Sequence, residues 1–173
     1  MSIMKEIRIE KVTLNIGVGA PGEKLERATK LLSNISGSKA VQTKSKPGTR
    51  IPTWGVRPNL PLGCKVTVRG KNAEELLKRL FNAVENKMPA GKFDVFGNFS
   101  FGIKEYIDIP GVQYDQDTGI IGLEVAVTLE RPGFRIKRRA VLRRNVGKKH
   151  LINKDEAMEF VRNKFGMNVG DDL

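Results

Sequence analysis

Apolar and polar positions alternate along 7–16, IRIEKVTLNI. Ile7 and Ile9 lie in one phase and Val12, Leu14 and Ile16 in the other, which predicts a strand with a phase change near Glu10 and Lys11. Gly17, Gly19 and Gly22 mark a turn. The spacing then switches to threes and fours in KLERATKLLSNI, so that Leu25, Ala28, Leu31, Leu32 and Ile35 share one helical face until Gly37. Val41 among polar neighbours in 40–45 predicts a short half-exposed strand. KVTVRG predicts another, with Val66 and Val68 on one side and Thr67 and Arg69 on the other. Asn72 and Glu75 have the spacing of a capping box ahead of a second helix, whose stripe is Leu76, Leu77, Leu80, Phe81, Val84 and Met88 and whose end is set by Pro89 and Gly91. Two further strands are predicted in 93–133, around Phe96, Phe99, Phe101, Ile103 and Tyr106 and over 122–129. Asn153 and Glu156 form a second capping box before a last helix, with Ala157, Phe160, Val161 and Phe165 inward and Gly166 at its end.

Three separated helices, with strands that mostly follow one another through turns, predict an α+β fold with an antiparallel or mixed sheet. A length of 173 residues with 39% hydrophobic content suits one domain over 1–173. Pro47, Gly48, Pro52, Gly55, Pro58 and Pro61 leave 46–62 with neither period, so a projecting loop is expected there.

Charge sharpens this picture. The 47 residues of 27–73 hold ten Lys or Arg and no acid, and the 24 residues of 131–154 hold ten more, again with no acid. These runs supply +20 in a chain whose net charge is +12, so the remainder is net negative by eight. Segregation on this scale, in a chain with 19 acids, points to a polyanionic partner. Aromatics are sparse, with Trp54 alone in the first run and Phe134 alone in the second, so recognition of backbone and shape in folded RNA is favoured over stacking along a single strand. The run at 131–150 has no sustained period and reads as an irregular, tail-like surface segment.

Catalytic chemistry finds few carriers. GVGAPG, 17–22, matches G-x-G-x-x-G between a strand and a helix, but the acid that should hold a ribose about 20 residues on is missing. A dinucleotide-binding enzyme using Gly17, Gly19 and Gly22 is the alternative function this motif leaves. YDQDTG begins like a calcium loop, yet its twelfth position is Ala126 rather than Glu. His150 sits among Arg144, Lys148 and Lys149, which suits a surface or RNA-facing hydrogen bonder better than a general base. Cys64 is the only cysteine and reads as a small buried side chain. No cofactor, metal site or enzyme activity is expected. Neither a signal peptide nor a membrane span is expected, which implies a cytoplasmic protein without a membrane partner.

KVTLNIGVG, LPLGCKVTVRG, FGNFSFGIKEYIDIPGVQYDQDTGIIGLEVAV and LERPGFRIKRR, in this order, resemble the large-subunit ribosomal protein L5 family over nearly the entire chain, in its archaeal and eukaryotic branch. The resemblance implies a curved antiparallel sheet with helices on one face, and binding of 5S ribosomal RNA in the central protuberance. It also implies neighbours among 23S-type ribosomal RNA, other central-protuberance proteins and the small-subunit head, and a basic loop reaching P-site transfer RNA. Carried onto this sequence, it assigns RNA contacts to Asn15, Thr67 and Arg69; Lys44 and Lys65 in the basic run join them as candidate 5S RNA contacts, and Arg50, Trp54 and Arg57 near the loop tip, as cationic and planar groups, are the candidate transfer-RNA contacts. Where the family often has G-Q-x-P after the first helix, this chain has GSKA, so Ser38 stands in place of a side-chain amide.

Overall fold

The computed structural model describes residues 3–115 and 119–170; Asp117, the second carboxylate of the YDQDTG turn, lies outside them. The elements are β1 (Arg8–Gly17), α1 (Glu23–Ser36), β2 (Val41–Lys44), β3 (Pro61–Val68), α2 (Lys71–Ala83), β4 (Lys87–Pro89), β5 (Phe99–Ile103), β6 (Leu123–Glu130), α3 (Lys154–Phe165) and β7 (Asn168–Gly170). The fold is α+β. Five strands form an antiparallel sheet in the order β2-β3-β1-β6-β5, and β4 pairs with β7 in parallel. The chain divides into two compact units, one of Met1–Val12, Arg69–Phe101 and Ala126–Leu173, the other of Thr13–Val68 and Gly102–Val125.

In the second of these units the expected helical stripe is the buried one: Leu25, Ala28, Leu31, Leu32 and Ile35 of α1 are all inside, and α1 packs on β3. Gly37 takes the left-handed conformation (φ 62°) that closes the helix. Thr29 and Ser33 half-bury because their hydroxyls donate to the carbonyls of Leu25 and Thr29 one turn back. Across from the helix, Leu14, Ile16, Cys64, Val66 and Val68 complete the core, each large aliphatic side chain contributing about 1.5–3 kcal/mol by leaving water. Burial pushes the Cys64 thiol up, with a hydrogen bond involving Thr29 acting the other way, so the thiol is a core group. Gly63 sets the approach of β1 and β3. A Cβ there would lie 2.7 Å from the Ile16 carbonyl oxygen and 3.1 Å from Thr43 Oγ1. Gly63→Ala is therefore expected to destabilise the protein by about 1–3 kcal/mol, read as a lower urea midpoint at unchanged m value.

In the other unit, Phe81 of α2 stacks on Phe99 and Phe101 of β5 at ring-centroid distances of 6.1 and 5.6 Å and meets the edge of Phe165 at 5.3 Å. Ala157 and Val161 of α3 are buried, whereas Phe160 and Phe165 are only half-buried. Three expectations need correction. Gly70 (φ 70°, ψ −150°) turns the chain directly out of β3 into α2, so Asn72 lies inside the first helical turn and no side chain caps that end. The helix stops at Ala83 instead of continuing to Pro89, because Glu85 and Asn86 adopt positive φ and the Asn86 N–H closes onto the Phe81 carbonyl; Met88 is buried in β4. The segment after β6 is irregular apart from short 3₁₀ turns at Phe134–Lys137 and Lys148–His150, yet it is no tail, since Arg131, Phe134 and Ile152 anchor it in the core. At α3 the expected capping relation holds in its returning half: the Asn153 N–H donates to Glu156 Oε2 at 3.0 Å.

Candidate nucleic-acid interface

Alternation along β3 and β1 fixes what faces away from α1. With Cys64, Val66 and Val68 inward, Lys65 and Thr67 face outward; with Leu14 and Ile16 inward, Thr13 and Asn15 do. β2 joins in register, Val41 opposite Lys65 and Thr43 opposite Gly63. Strict pairing would then put Lys44 opposite Leu62, on the core side. A register shift after Thr43 places it opposite Pro61 instead, with Leu62 as the extra residue of β3, and Lys44 is exposed on the edge strand. Asn15, Lys65 and Thr67 thus share one outer surface, Lys44 is exposed on the edge strand β2, and Arg69 is exposed just past the end of β3. Among the described residues, no carboxylate pairs with Lys44, Lys65 or Arg69. These cations can meet a phosphate without first giving up an internal partner.

Asn15 differs from them. Its Nδ2 donates to Glu124 Oε2 at 3.4 Å, a partner 109 residues away that no local pattern reveals. A carboxylate at this position repels phosphate, while it and the Asn15 carbonyl oxygen accept from a ribose 2′-hydroxyl or a base amino group. Ser38, where the family's amide stands, has its backbone N–H and carbonyl engaged by Ser36 Oγ.

The loop between β2 and β3 is more ordered than its composition predicts. Ser45 closes its base: its N–H donates to the Leu60 carbonyl at 2.8 Å, its Oγ donates to the Arg57 carbonyl at 2.5 Å, and the Leu60 N–H donates to that Oγ at 2.9 Å. Further out, an isolated bridge joins Ile51 and Val56 around a 3₁₀ turn at Pro52–Trp54, with Gly55 left-handed at φ 65°. None of residues 46–59 is buried. Arg50 and Arg57 are exposed, and Trp54 is 76% exposed. The result is a hydrogen-bonded hairpin presenting two guanidinium groups and an indole.

The second basic run spends part of its charge internally. Arg131, 6% exposed, donates from Nη1 to the Leu151 carbonyl at 3.0 Å and from Nη2 to Glu156 Oε1 at 2.9 Å. Arg138 pairs with both Glu10 and Glu130. His150 turns inward as well, its Nε2 donating to the Pro132 carbonyl at 2.8 Å and its ring meeting Phe134 edge-on at 5.7 Å. The histidine therefore pins the segment and does not face RNA through Nε2.

GVGAPG makes no phosphate cradle. The N–H groups of Val18 and Gly19 both donate to the Leu62 carbonyl, at 3.0 and 2.8 Å, and the first turn of α1 carries Glu23 and Glu26. Among the described residues, no group of three His, Cys, Asp or Glu side chains could hold a metal ion. No helix among them is long and apolar enough to cross a membrane.

Family models match in two blocks: one described as "Ribosomal protein L5" covers residues 2–57, and a second, for the C-terminus of the ribosomal L5 family, covers 61–160. The chain is 50% identical over 167 residues to the large ribosomal subunit protein uL5 of Nanoarchaeum equitans, covering 96% of this chain and 97% of that protein. It is 47% identical to the protein of the same name in Sulfurisphaera tokodaii, covering 96% and 93%, and 45% identical to that of Methanococcus maripaludis strain C5, covering 96% and 92%.

Proposed function

This chain belongs to the ribosomal protein L5 family, a structural and not an enzymatic one, and from that premise we propose that its outer sheet surface binds 5S ribosomal RNA within the large ribosomal subunit while the hairpin at 46–60 contacts P-site transfer RNA. The observation that carries this reading is the outer face of the sheet, where Lys65 and Thr67 of β3 lie on the same side as Asn15 of β1, with Lys44 exposed on the neighbouring edge strand and neither lysine paired to a carboxylate among the described residues. Arg69 extends that row, and Asn15 with Glu124 adds a place for sugar or base donors beside the cationic sites. In this reading the protein works on cytoplasmic ribosomes, and its proposed neighbours are 23S-type ribosomal RNA, central-protuberance proteins and the small-subunit head.

The two contacts separate experimentally. Ser45 and Leu60 close the base of the hairpin, so residues 47–58 can be replaced by a short Gly-Ser turn without disturbing the pairing of β2 with β3. The variant is expected to keep 5S RNA affinity within about threefold, since its remaining outer-face contacts supply most of the electrostatic free energy. Ribosomes carrying it are expected to release P-site transfer RNA faster. Loss of 5S binding together with unchanged transfer-RNA retention would reverse the assignment.

A further inference from the structure

The turn after Phe134 combines features that structure alone does not require. Val141 and Leu142 are 76% and 71% exposed, and Ile136 is exposed beside them. Gly133, Arg135, Ile136, Arg139, Ala140 and Val141 line an open groove of about 600 Å³. The turn is held in shape from within: the Arg144 N–H donates to the Ile136 carbonyl at 3.3 Å, and Arg139 Nε donates to the Leu142 carbonyl at 2.9 Å. Leu142 sits at φ +52°, a conformation that costs a branched side chain and suits Gly or Asn. Two large apolar side chains are thus kept in water at the tip of a built turn. In the same segment, Arg135, Arg143, Arg144, Lys148 and Lys149 have no carboxylate partner among the described residues.

An apolar tip in a segment of cations without carboxylate partners fits a particular partner. A uniform duplex offers phosphates but no apolar surface, and an acidic protein face seldom offers a flat apolar plane between two rows of anions. Folded RNA with an unpaired base offers both. We propose that Val141 and Leu142 form a wedge that packs against an unstacked base of ribosomal RNA, with Arg143, Arg144 and the Lys148–Lys149 pair holding the phosphates on either side. This rests on the reading of the chain as an RNA-binding ribosomal protein, but it concerns a surface in a different unit from Lys44 and Lys65.

The test uses the full chain and two RNA hairpins that differ only in one added, unpaired adenosine. Wild type should prefer the second by about tenfold, the scale of covering one aliphatic side chain. Val141→Ser with Leu142→Asn removes the apolar tip while Asn tolerates the left-handed backbone, so the turn survives; this variant should lose the preference and keep the affinity for the paired hairpin. Arg143→Gln with Arg144→Gln should weaken both hairpins alike and flatten the dependence on salt. The proposal is overturned if wild type shows no preference or the Ser/Asn variant retains it. It is equally overturned if that variant binds both RNAs as wild type does but fails to enter subunits, which would assign the wedge to a protein partner. Binding of 5S RNA by a Lys44→Gln, Lys65→Gln variant, measured alongside, reports separately on the outer-face reading.

Discussion

Converting Lys44, Lys65 and Arg69 together to Gln is expected to weaken 5S RNA binding by roughly 150- to 5000-fold at near-physiological salt, because each lysine–phosphate contact contributes about 1 kcal/mol and a forked arginine contact about 1–3. The three side chains have no internal carboxylate partners among the described residues, so their removal leaves no stranded charge and the fold should be unaffected. Salt dependence provides the internal check. Each lost phosphate contact should flatten the slope of log affinity against log salt by about 0.7–0.9, so the triple variant should lose roughly 2–3 units of slope. Asn15→Ala and Thr67→Ala should cost less and leave the slope alone, Asn15 because Glu124 beside it excludes phosphate. A folded triple variant with wild-type affinity and slope would mean that the RNA lies on another surface.

Arg131→Ala is expected to destabilise the protein by about 2–4 kcal/mol, since it removes the donors to the half-buried Leu151 carbonyl and to Glu156 Oε1, leaves that carboxylate only the Asn153 N–H, and opens a cavity. For a chain of this length that corresponds to a fall in Tm of roughly 4–16 °C. The partner Glu156 adds a pH signature. Its carboxyl is held below the usual range, first by the hydrogen bond from the Asn153 backbone, with burial opposing and the hydrogen bond and charge of Arg131 assisting. A carboxyl whose folded pKa is depressed contributes stability above its unfolded pKa, and that contribution disappears as pH falls through the folded value. The difference between wild type and Arg131→Ala should therefore narrow below the ordinary carboxylate range. Because the Glu156 side chain is 41% exposed, solvent screening keeps its share modest. We also propose that the two units act as one RNA-binding domain and unfold in a single transition, since β1, β5 and β6 each run through both.

Much of this protein is legible in its hydrophobic pattern wherever an element is long enough to show a period. The stripe of α1 and the alternation of β3 both appear in the sequence as they do in the structure, down to which face Thr67 takes. Three-residue strands such as β4 and β7 carry no period at all, and glycine conformation, as at Gly70, moves a helix start away from an apparent cap. The charge runs were legible as composition only. Which cations are free depends on tertiary neighbours: Arg138 is spent on Glu10 and Glu130, Arg131 on Glu156, while Lys44 and Lys65 have no such partner among the described residues. The bulge at Leu62 opposite Lys44, and the Glu124 carboxylate beside Asn15, depend on pairing between strands and leave no mark on local sequence.

The most direct measurement is capture of total cellular RNA by the purified full chain at physiological salt, with the recovered species quantified against input. Enrichment of 5S RNA at least about tenfold over transfer RNA and messenger RNA is the predicted result, given that specific nucleic-acid complexes exceed non-specific ones by far more than this. Recovery of RNA in proportion to its abundance, with 5S RNA no more enriched than the rest, would contradict it.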